Sequence, residues 1–540
     1  MNNADLIVAT LQAAGVARGY GVPSGNVLPL MEAMRAAGMP FVLAAHEGSA
    51  AFAADVTARV TGAPGLCIAT LGPGATNLTT GVGCAYLDRS PLLAVTCTLN
   101  ESQLGRRLQM WIDHQALFAP ITKASFVLRR GGIAATVVEA LRIAMSEPRG
   151  PVHLDLPEDV ALAAASEPVP ARDAPGAGFD CQPAPMPDPG AIERAAAILR
   201  GAQRPVAVVG ASAMRMCRPE LLADFVSRQR MPFATTTMAK GLLDESHALS
   251  LGCIERACRT LQRRFLHERA DLVVALGYDT VEVEYEAWTG NLPMLHADLQ
   301  RADVDPSVAL VHEVVGDLDA AVGALAALEP VPGSWSDGEV AAHRAAFQRA
   351  LRPATTTFSP HQAIDAVRRV LPREGVLAFD VGAHTHQIAS QWTAYSPRTF
   401  LITNGWSSMG FGLPAAIAAK LARPDLPVAC IVGDGCFQMT CGELTVARRE
   451  RLAIPFVVLD DGWLSLIKVK QERRALPCYG TDLGSGPWSE PPAHYFGVPA
   501  VAARTPAELE RALERAFAAA GPTVIEAFVD AAHYSETVYD

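Results

Sequence analysis

The sequence contains few charged residues, no Cys-x-x-Cys pair and no apolar stretch long enough to cross a membrane. Charged side chains make up 19% of the 540 residues and the formal net charge is -11, so no basic surface is expected to attract nucleic acid. The eleven cysteines show neither a disulfide framework nor zinc-ligand spacing, which is typical of a reducing cytosol. The N-terminus lacks the basic start and cleavage site of a signal peptide. We therefore expect a cytoplasmic protein that binds neither nucleic acid nor a membrane.

Apolar, β-branched runs alternate with Ala-rich helical stretches along the whole chain, which predicts an α/β fold. Two stretches interrupt the alternation, 163–192 and 328–358, and we interpret them as domain connections. They leave three segments, 1–165, 190–328 and 358–540, and we predict a doubly wound parallel-sheet domain in each. The strand candidates lie at 41–45, 66–71, 91–98, 205–211, 271–277, 308–315, 376–381, 427–433 and 455–460.

The most informative pattern is an acidic residue between two glycines at the end of an apolar run, Gly433-Asp434-Gly435. Glycines allow backbone to approach a ligand closely. A second apolar run, 456–459, ends at Asp460-Asp461. Because parallel strands end at one edge of a sheet, we expect these carboxylates to lie side by side and to share one divalent cation such as Mg²⁺. An isolated Gly-Asp-Gly is usually only a tight turn, and the second acidic pair favours a metal site instead.

This pattern resembles the signature of thiamine diphosphate-dependent enzymes, in which Asn-Asn follows Gly-Asp-Gly after some two dozen residues. Asp461 comes 27 positions after Asp434 (461 − 434), as in the family. The resemblance implies thiamine diphosphate and Mg²⁺ as cofactors. It also implies that the metal ligands are Asp434, the side chain of Asp461 and the backbone carbonyl of Trp463. Asp-Asp replaces Asn-Asn here, which keeps the oxygen ligands and adds negative charge near the diphosphate.

The stretch 41–77 resembles the pyrimidine-binding domain of the same family. Glu47 follows a predicted strand and opens an Ala-rich helix, where a glutamate alone would be explained by the helix dipole. The resemblance gives Glu47 a catalytic role. It would hydrogen-bond N1′ of the aminopyrimidine, so that the thiazolium C2 proton is removed and the cofactor becomes the nucleophile.

The resemblance also supplies the residues that hold the cofactor. Met409 would bend thiamine, and its backbone N–H and the Ser407 carbonyl would bind the pyrimidine ring. The full predicted cofactor-binding set is Pro23, Asn77, Gly382, His384, Thr385, Ser407, Met409, Gly433, Gly435 and Cys436. In this family the glutamate and the diphosphate site come from different subunits, which implies a homodimer or a homotetramer.

The resemblance is closest to acetolactate synthase-like members of the flavin-independent type. The stretch 277–282 looks like theirs, and no Gly-Met-His-Gly-type segment is found near 251–253, so FAD is not expected as a cofactor. The implied reaction decarboxylates a pyruvate-like 2-oxo acid and transfers the resulting acyl anion equivalent to a carbonyl acceptor.

The acceptor pocket is expected to differ from that of a standard synthase. Met110 stands in place of a glutamine, and Lys470 in place of a tryptophan. Lys468 and Lys470 either contact an anionic substrate or form a solvated face. The predicted substrate residues are Ser24, Gly25, Met110, Leu466 and Lys470, and the histidines considered for the pocket are His114, His384 and His386.

Several alternatives remain open at this point. A simple 2-oxo acid decarboxylase or a 2-hydroxyacyl-CoA lyase would use the same cofactor, but Ile467 and Leu71 occupy positions where decarboxylases of this family carry an acid and a histidine. A catalytically silent thiamine diphosphate-binding protein would explain Asp461 and Met110. The small-residue turn in 206–212 is typical of a nucleotide-binding oxidoreductase, although it lacks the Gly-x-Gly-x-x-Gly spacing.

Overall fold

The computed structural model describes residues 1–170, 184–283, 288–330, 335–484 and 490–538. These residues form three domains in chain order, each built on one sheet of mostly parallel strands covered by helices. The predicted fold class is therefore confirmed. Every strand candidate is a strand, and no strand boundary differs from the prediction by more than two residues.

The first domain is built on a six-stranded parallel sheet. Its strands are β1 (Gly19–Gly21), β2 (Phe41–Leu43), β3 (Gly65–Thr70), β4 (Leu92–Thr98), β5 (Ala124–Val127) and β6 (Pro151–Pro157). They pair in the order β2-β1-β3-β4-β6-β5. The helices are α1 (Asn3–Ala13), α2 (Leu28–Ala36), α3 (Glu47–Thr61), α4 (Pro73–Leu87), α5 (His114–Phe118), α6 (Ile133–Met145) and α7 (Glu158–Leu162).

The central domain repeats this architecture. Its strands are β7 (Pro205–Val209), β8 (Phe233–Thr235), β9 (Ser250–Cys253), β10 (Leu272–Leu276), β11 (Met294–Asp298) and β12 (Leu310–Val315), and all their pairings are parallel. The order is β12-β11-β10-β7-β8-β9. The helices are α8 (Pro189–Gly201), α9 (Glu220–Arg228), α10 (Arg259–Arg269), α11 (Leu318–Ala326) and α12 (Asp337–Ala350).

The third domain has a seven-stranded sheet. Its strands are β13 (Val376–Phe379), β14 (Phe400–Leu401), β15 (Val428–Gly433), β16 (Pro455–Asp460), β17 (His494–Tyr495), β18 (Val498–Ala503) and β19 (Thr523–Phe528). They pair in the order β14-β13-β15-β16-β19-β18-β17, and only the β17–β18 pairing is antiparallel. The helices are α13 (Pro360–Val370), α14 (Ala383–Gln391), α15 (Gly412–Ala422), α16 (Asp434–Thr440), α17 (Leu444–Arg449), α18 (Ser465–Arg473), α19 (Pro506–Ala518) and α20 (Tyr534–Thr537).

The helix α3 of the first domain packs against α15 of the third domain. It is rich in alanine and almost wholly buried, because small side chains let α4 and α15 approach its backbone closely. The rings of Phe52 on α3 and Phe411 just before α15 meet edge to face, with centroids 5.5 Å apart. One apolar core therefore runs through both domains. It fixes the start of α3, where Glu47 lies.

The two predicted connections differ in structure. The stretch 163–192 lies partly outside the described residues, and α8 begins near its end. The stretch 328–358 contains α12, whose Val340 and Phe347 are buried against residues of the central domain. The second connection thus carries a helix that packs on the central domain. No helix among the described residues is long and apolar enough to span a membrane.

Candidate active site

The acidic residues of the predicted metal site lie at the carboxyl ends of β15 and β16, which are neighbours in the third sheet. Asp434 Oδ2 accepts a hydrogen bond from the Gly462 N–H at 2.8 Å, which ties the two strand ends together. Asp461 Oδ1 accepts from the Trp463 N–H at 3.0 Å, and its other oxygen accepts from the Ser465 hydroxyl at 2.7 Å. The structure therefore brings Asp434 and Asp461 to one place, as the spacing predicts.

This acidic cluster carries more negative charge than its surroundings balance. Burial raises the pKa of Asp461 to about 6. Burial, and then the charge of Asp461, raise the pKa of Asp434 well above its usual range. No donor among the described residues bonds to the carbonyl oxygen of Trp463. Two buried carboxylates and a carbonyl oxygen without a donor are the kind of oxygen ligands that a hard divalent cation prefers.

Beside this cluster, His384 lies in the first turn of α14 with a buried nitrogen that has no partner. Its Nε2 makes no hydrogen bond within the described chain, and burial lowers the pKa of the ring to about 4, so the imidazole is neutral. A Cβ on Gly382 or on Gly433 would lie 2.7 or 3.0 Å from the ring. Because the two glycines have no side chains, only backbone lies beside the unpaired Nε2 of His384. A phosphate group could approach this backbone and bond to that nitrogen.

Two other predicted diphosphate residues already have partners within the protein. The Thr385 hydroxyl accepts from the Gly382 N–H at 2.8 Å and donates to the Asp380 carbonyl. The Cys436 thiol donates to the Val381 carbonyl at 3.0 Å. Both side chains shape the turn before α14, and their contact with diphosphate remains a prediction.

The loop that carries Met409 is held by Asp380, a residue that the motif analysis missed. The buried Asp380 carboxylate accepts hydrogen bonds from the Gly410 N–H at 3.1 Å and the Gly412 N–H at 2.9 Å, and burial raises its pKa to about 6. Met409 then lies over Gly435, where a Cβ would be 3.4 Å from its terminal methyl. The same Cβ would lie 2.6 Å from a terminal methyl of Leu464, so a side chain at position 435 would force Leu464 to shift. The available signal was an acid in the predicted strand 376–381.

In the first domain, Glu47 opens α3 and is 9% exposed. Its Oε2 accepts a hydrogen bond from the Asn77 amide at 2.9 Å, and a Cβ on Gly74 would lie 3.4 Å from Oε1. The turn that follows β1 carries the predicted residues Pro23, Ser24 and Gly25. Since β1 pairs with both β2 and β3, this turn lies at the same edge of the sheet as Glu47.

A carboxylate of the third domain, also missed from sequence, holds the turn before Glu47. The buried Glu443 accepts from the Ala45 and His46 N–H groups, each at 3.1 Å. Glu443 comes after the end of α16, whereas Asp434 begins it, and these seven helical residues span about 9 Å. Glu443 therefore links the turn before Glu47 to the chain that follows α16, the helix that Asp434 begins.

The predicted substrate residues divide between two domains. In the first, Met110 has a φ of +64° and an exposed side chain, and its carbonyl lies against Gly72. In the third, Leu466 and Lys470 lie on α18, where Leu466 packs against Val469 and Tyr534.

Lys468 and His386 have partners within the protein. Lys468 pairs with Glu472 at 3.0 Å and lies over the Trp463 ring, which supports the solvated-face interpretation for this residue. His386 pairs with Glu255 of the central domain at 3.1 Å. It joins two domains and does not extend the predicted pocket.

Three family models match the chain, one for each domain. The N-terminal TPP binding domain of thiamine pyrophosphate enzymes matches residues 1–117. The central domain of these enzymes matches 192–325, and their C-terminal TPP binding domain matches 380–527. Together they include Glu47, Asn77, Asp434 and Asp461.

Curated relatives resemble the chain over nearly its whole length. A probable acetolactate synthase large subunit of Methanocaldococcus jannaschii is 30% identical over 98% of this chain and 92% of the relative. An acetolactate synthase of Arthrospira platensis is 30% identical over 96% of this chain and 93% of the relative. The acetolactate synthase isozyme 1 large subunit of Escherichia coli is 31% identical over 87% and 83%, respectively.

Proposed function

This chain belongs to the thiamine pyrophosphate enzyme family, and from that premise we propose that it is an acetolactate synthase-like carboligase. It decarboxylates a pyruvate-like 2-oxo acid and transfers the remaining acyl unit to a carbonyl acceptor. The observation that carries the proposal is the buried Glu47 carboxylate, held by Asn77 in a chain that is about 30% identical to acetolactate synthases over nearly its full length.

The third domain offers residues for both parts of the cofactor complex. Asp434, Asp461 and the Trp463 carbonyl would hold Mg²⁺, and the unpaired Nε2 of His384 would contact diphosphate. Ser407 and Met409 would hold the pyrimidine. When bound, thiamine diphosphate would supply the nucleophilic carbon for attack on the carbonyl of a 2-oxo acid, the chemistry that the protein side chains lack. We propose that no FAD takes part.

The chain contributes proton control and orientation. Glu47 is mostly withdrawn from water and receives one hydrogen bond, from Asn77, on Oε2. Its Oε1 faces the side-chain-free surface of Gly74 and has room for a proton from the aminopyrimidine. Asn77 therefore fixes the rotamer of Glu47, and Glu47 holds the proton that the cofactor gives up and regains.

Transfer to a carbonyl acceptor is favoured over simple protonation by the lack of an acid at two positions. Leu71, at the end of β3, is 2% exposed and apolar, and position 467 on α18 is isoleucine. With no acid at either of these two positions, protonation of the acyl unit would be slowed, and the unit would stay available for a second carbonyl compound.

We propose that a complete site is formed by two copies of the chain, as the family resemblance implies. Each site would pair Glu47 of one subunit with Asp434 of another. A homodimer is the smallest assembly that does this.

No cysteine among the described residues forms a disulfide, which supports a cytoplasmic location.

The proposal is tested by incubating the purified chain with thiamine diphosphate, Mg²⁺ and a panel of 2-oxo acids, with and without aldehyde and ketone acceptors. Carbon dioxide release and product mass are followed together. We expect carbon dioxide with a coupled product, which identifies donor and acceptor. Free aldehyde alone would make the chain a decarboxylase, and no release from any acid would overturn the proposal.

A further inference from the structure

A row of buried polar side chains runs between the sheet of the first domain and α5. Its members come from four elements, and all but Ser125 are less than 9% exposed: Ser125, His153, Thr96, Asp155 and His114. The Ser125 hydroxyl is 2.6 Å from His153 Nδ1, and His153 Nε2 is 2.7 Å from the Thr96 hydroxyl. Thr96 donates to Asp155 Oδ1 at 2.6 Å, and the same oxygen is 3.0 Å from His114 Nδ1.

The row ends at the backbone N–H of Gly72, which donates to His114 Nε2 at 3.1 Å. Because this nitrogen accepts, the proton of a neutral His114 ring must lie on Nδ1 and point at Asp155. The Thr96 hydroxyl donates its only proton to Asp155, so it can only accept from His153, whose proton then lies on Nε2. His153 Nδ1 is left as an acceptor for the Ser125 hydroxyl. Burial lowers the pKa of His153 to about 3, which agrees with a neutral ring. Each hydrogen in the row then has an acceptor.

The same atoms could be considered as a metal site, because ligand atoms of His114, His153 and Asp155 lie within 4.8 Å of one another. The Thr96 hydroxyl already occupies the middle of the group and lies within hydrogen-bond distance of all three residues, including His114 Nδ1 at 3.3 Å. The hydrogen-bonding groups of the row have partners without an ion. We therefore interpret the row as a hydrogen-bond network that holds its side chains in one geometry.

The backbone position of Gly72 affects the start of α4. Its φ is +62°, and a Cβ there would lie 2.3 Å from the Met110 carbonyl, so only glycine fits. Its own carbonyl accepts the Thr76 N–H at 2.9 Å, in the first turn of α4. One residue further along α4, the Asn77 amide donates to Glu47. The position of Gly72 therefore sets the direction from which Asn77 reaches Glu47.

We propose that His114 is a positioning residue for the active site. By accepting the Gly72 N–H, with its tautomer fixed by Asp155, it holds the start of α4 and thereby the Asn77 amide that orients Glu47. The importance of that orientation for turnover rests on the proposed function, whereas the fixing of Gly72 does not.

The test compares matched variants of the full-length protein. His114→Leu removes the acceptor of Gly72, and His153→Leu removes an equally buried imidazole from the same row without touching Gly72. His114→Gln restores an oxygen that can accept the Gly72 N–H. In cofactor-free protein, backbone hydrogen exchange of the segment 71–78 is followed by mass spectrometry. With thiamine diphosphate and Mg²⁺ added, the exchange rate of the thiazolium C2 hydrogen and the kcat and KM for the 2-oxo acid are measured.

In His114→Leu we expect exchange of segment 71–78 to rise about tenfold, as loss of one buried hydrogen bond implies. The C2 exchange rate and kcat should fall by about the same factor, with KM changed less than about twofold. His153→Leu should lower the melting temperature without these changes, and His114→Gln should recover most of the loss.

Equal effects of His114→Leu and His153→Leu, an unchanged segment in His114→Leu, or no recovery in His114→Gln would each overturn the positioning role. Should His114→Leu not fold, Asp155→Leu, which removes the acceptor that fixes the tautomer, takes its place with the same expected contrast to His153→Leu. A wild-type chain that turns over no 2-oxo acid would refute the proposed function and leave the amide-exchange comparison to be judged alone.

Discussion

At the scale of single residues, the account depends on a few buried carboxylates with different tasks. Glu47 is placed to exchange a proton, and Asp434 and Asp461 are placed to hold a cation. Asp380 and Glu443 accept backbone N–H groups and hold loops. Burial acts on all buried carboxyl groups in the same direction and so does not distinguish their tasks. The groups that each carboxylate contacts determine what it does.

Removal of the Glu47 carboxylate should abolish turnover and leave the fold intact. In Glu47→Ala we expect kcat to fall by at least about 100-fold, the usual effect of losing a general acid or base. Glu32→Ala is the control, because Glu32 is exposed and pairs only with Arg35. Steady-state kinetics and melting temperatures check both variants, and full activity in Glu47→Ala would refute the assigned role.

The acidic cluster should make stabilisation by Mg²⁺ depend on pH. The folded chain holds Asp461 with a pKa of about 6 and that of Asp434 higher still, against a usual value of 3.8. The folded protein thus binds more protons than the unfolded protein. The contribution of these two groups to the free energy of unfolding therefore falls as pH rises from about 4 through 6 and above. A cation that binds ionised carboxylates should offset that loss.

We therefore expect Mg²⁺ to raise the melting temperature of the cofactor-free chain more at pH 8 than at pH 5.5. Asp434→Asn should remove most of this difference, since it deletes one of the two charges. The measurement is thermal denaturation with and without Mg²⁺ at both pH values. An equal shift at both, or an unaltered difference in Asp434→Asn, would contradict a metal site on these carboxylates.

Sequence predicted the residues that lie within one motif and missed those whose partners are distant in the chain. Strand ends and spacing predicted that Asp434 and Asp461 lie together, whereas the role of Glu47 was implied by the family resemblance. Glu443 could not be found in this way, because its partners Ala45 and His46 are almost 400 positions away and are backbone groups of ordinary residues. Only the packing of α3 against the third domain brings them together.

At the scale of secondary-structure elements, the close approach of α3 and α4 positions Glu47 relative to Asn77. A Cβ on Gly81 of α4 would lie 2.4 Å from the Ala51 methyl and 2.9 Å from the Gly48 carbonyl, both on α3. The missing side chain lets the two helices lie almost in backbone contact. Alternating apolar and Ala-rich runs predict that both helices exist, but the contact depends on this one position.

Gly81→Ala should therefore separate the two helices and weaken the enzyme. Overpacking of this kind costs about 1–3 kcal/mol, and we expect a lower melting temperature together with a lower kcat. Gly338→Ala on α12 is the matched control, because its Cβ would meet open space and alanine favours a helix. A Gly81→Ala protein as stable and active as wild type would show that the helix contact does not position the site.

At the scale of the whole molecule, one core spans the first and third domains, which carry Glu47 and the acidic cluster, respectively. Sequence alone predicted three domains and their order. It implied the sharing of a site only through a family resemblance, because no local pattern states which chain completes a site.

Shared sites predict complementation between inactive variants. Glu47→Ala and Asp434→Ala should each be inactive alone, and after dissociation and random reassembly the mixture should regain about one quarter of wild-type activity. Half of the dimers would then be mixed, and each mixed dimer would contain one intact site. Activity is measured before and after mixing; a mixture that stays inactive would mean that one chain supplies the whole site.

The central claim is that this chain releases carbon dioxide from a 2-oxo acid by thiamine diphosphate chemistry at Glu47. The most direct measurement is carbon dioxide release from pyruvate by the purified protein, with thiamine diphosphate and Mg²⁺ present or each omitted, in wild type and in Glu47→Ala. We predict release, accompanied by a coupled product, only when wild-type protein and both additions are present. Release without thiamine diphosphate, or none under any condition, would contradict the account.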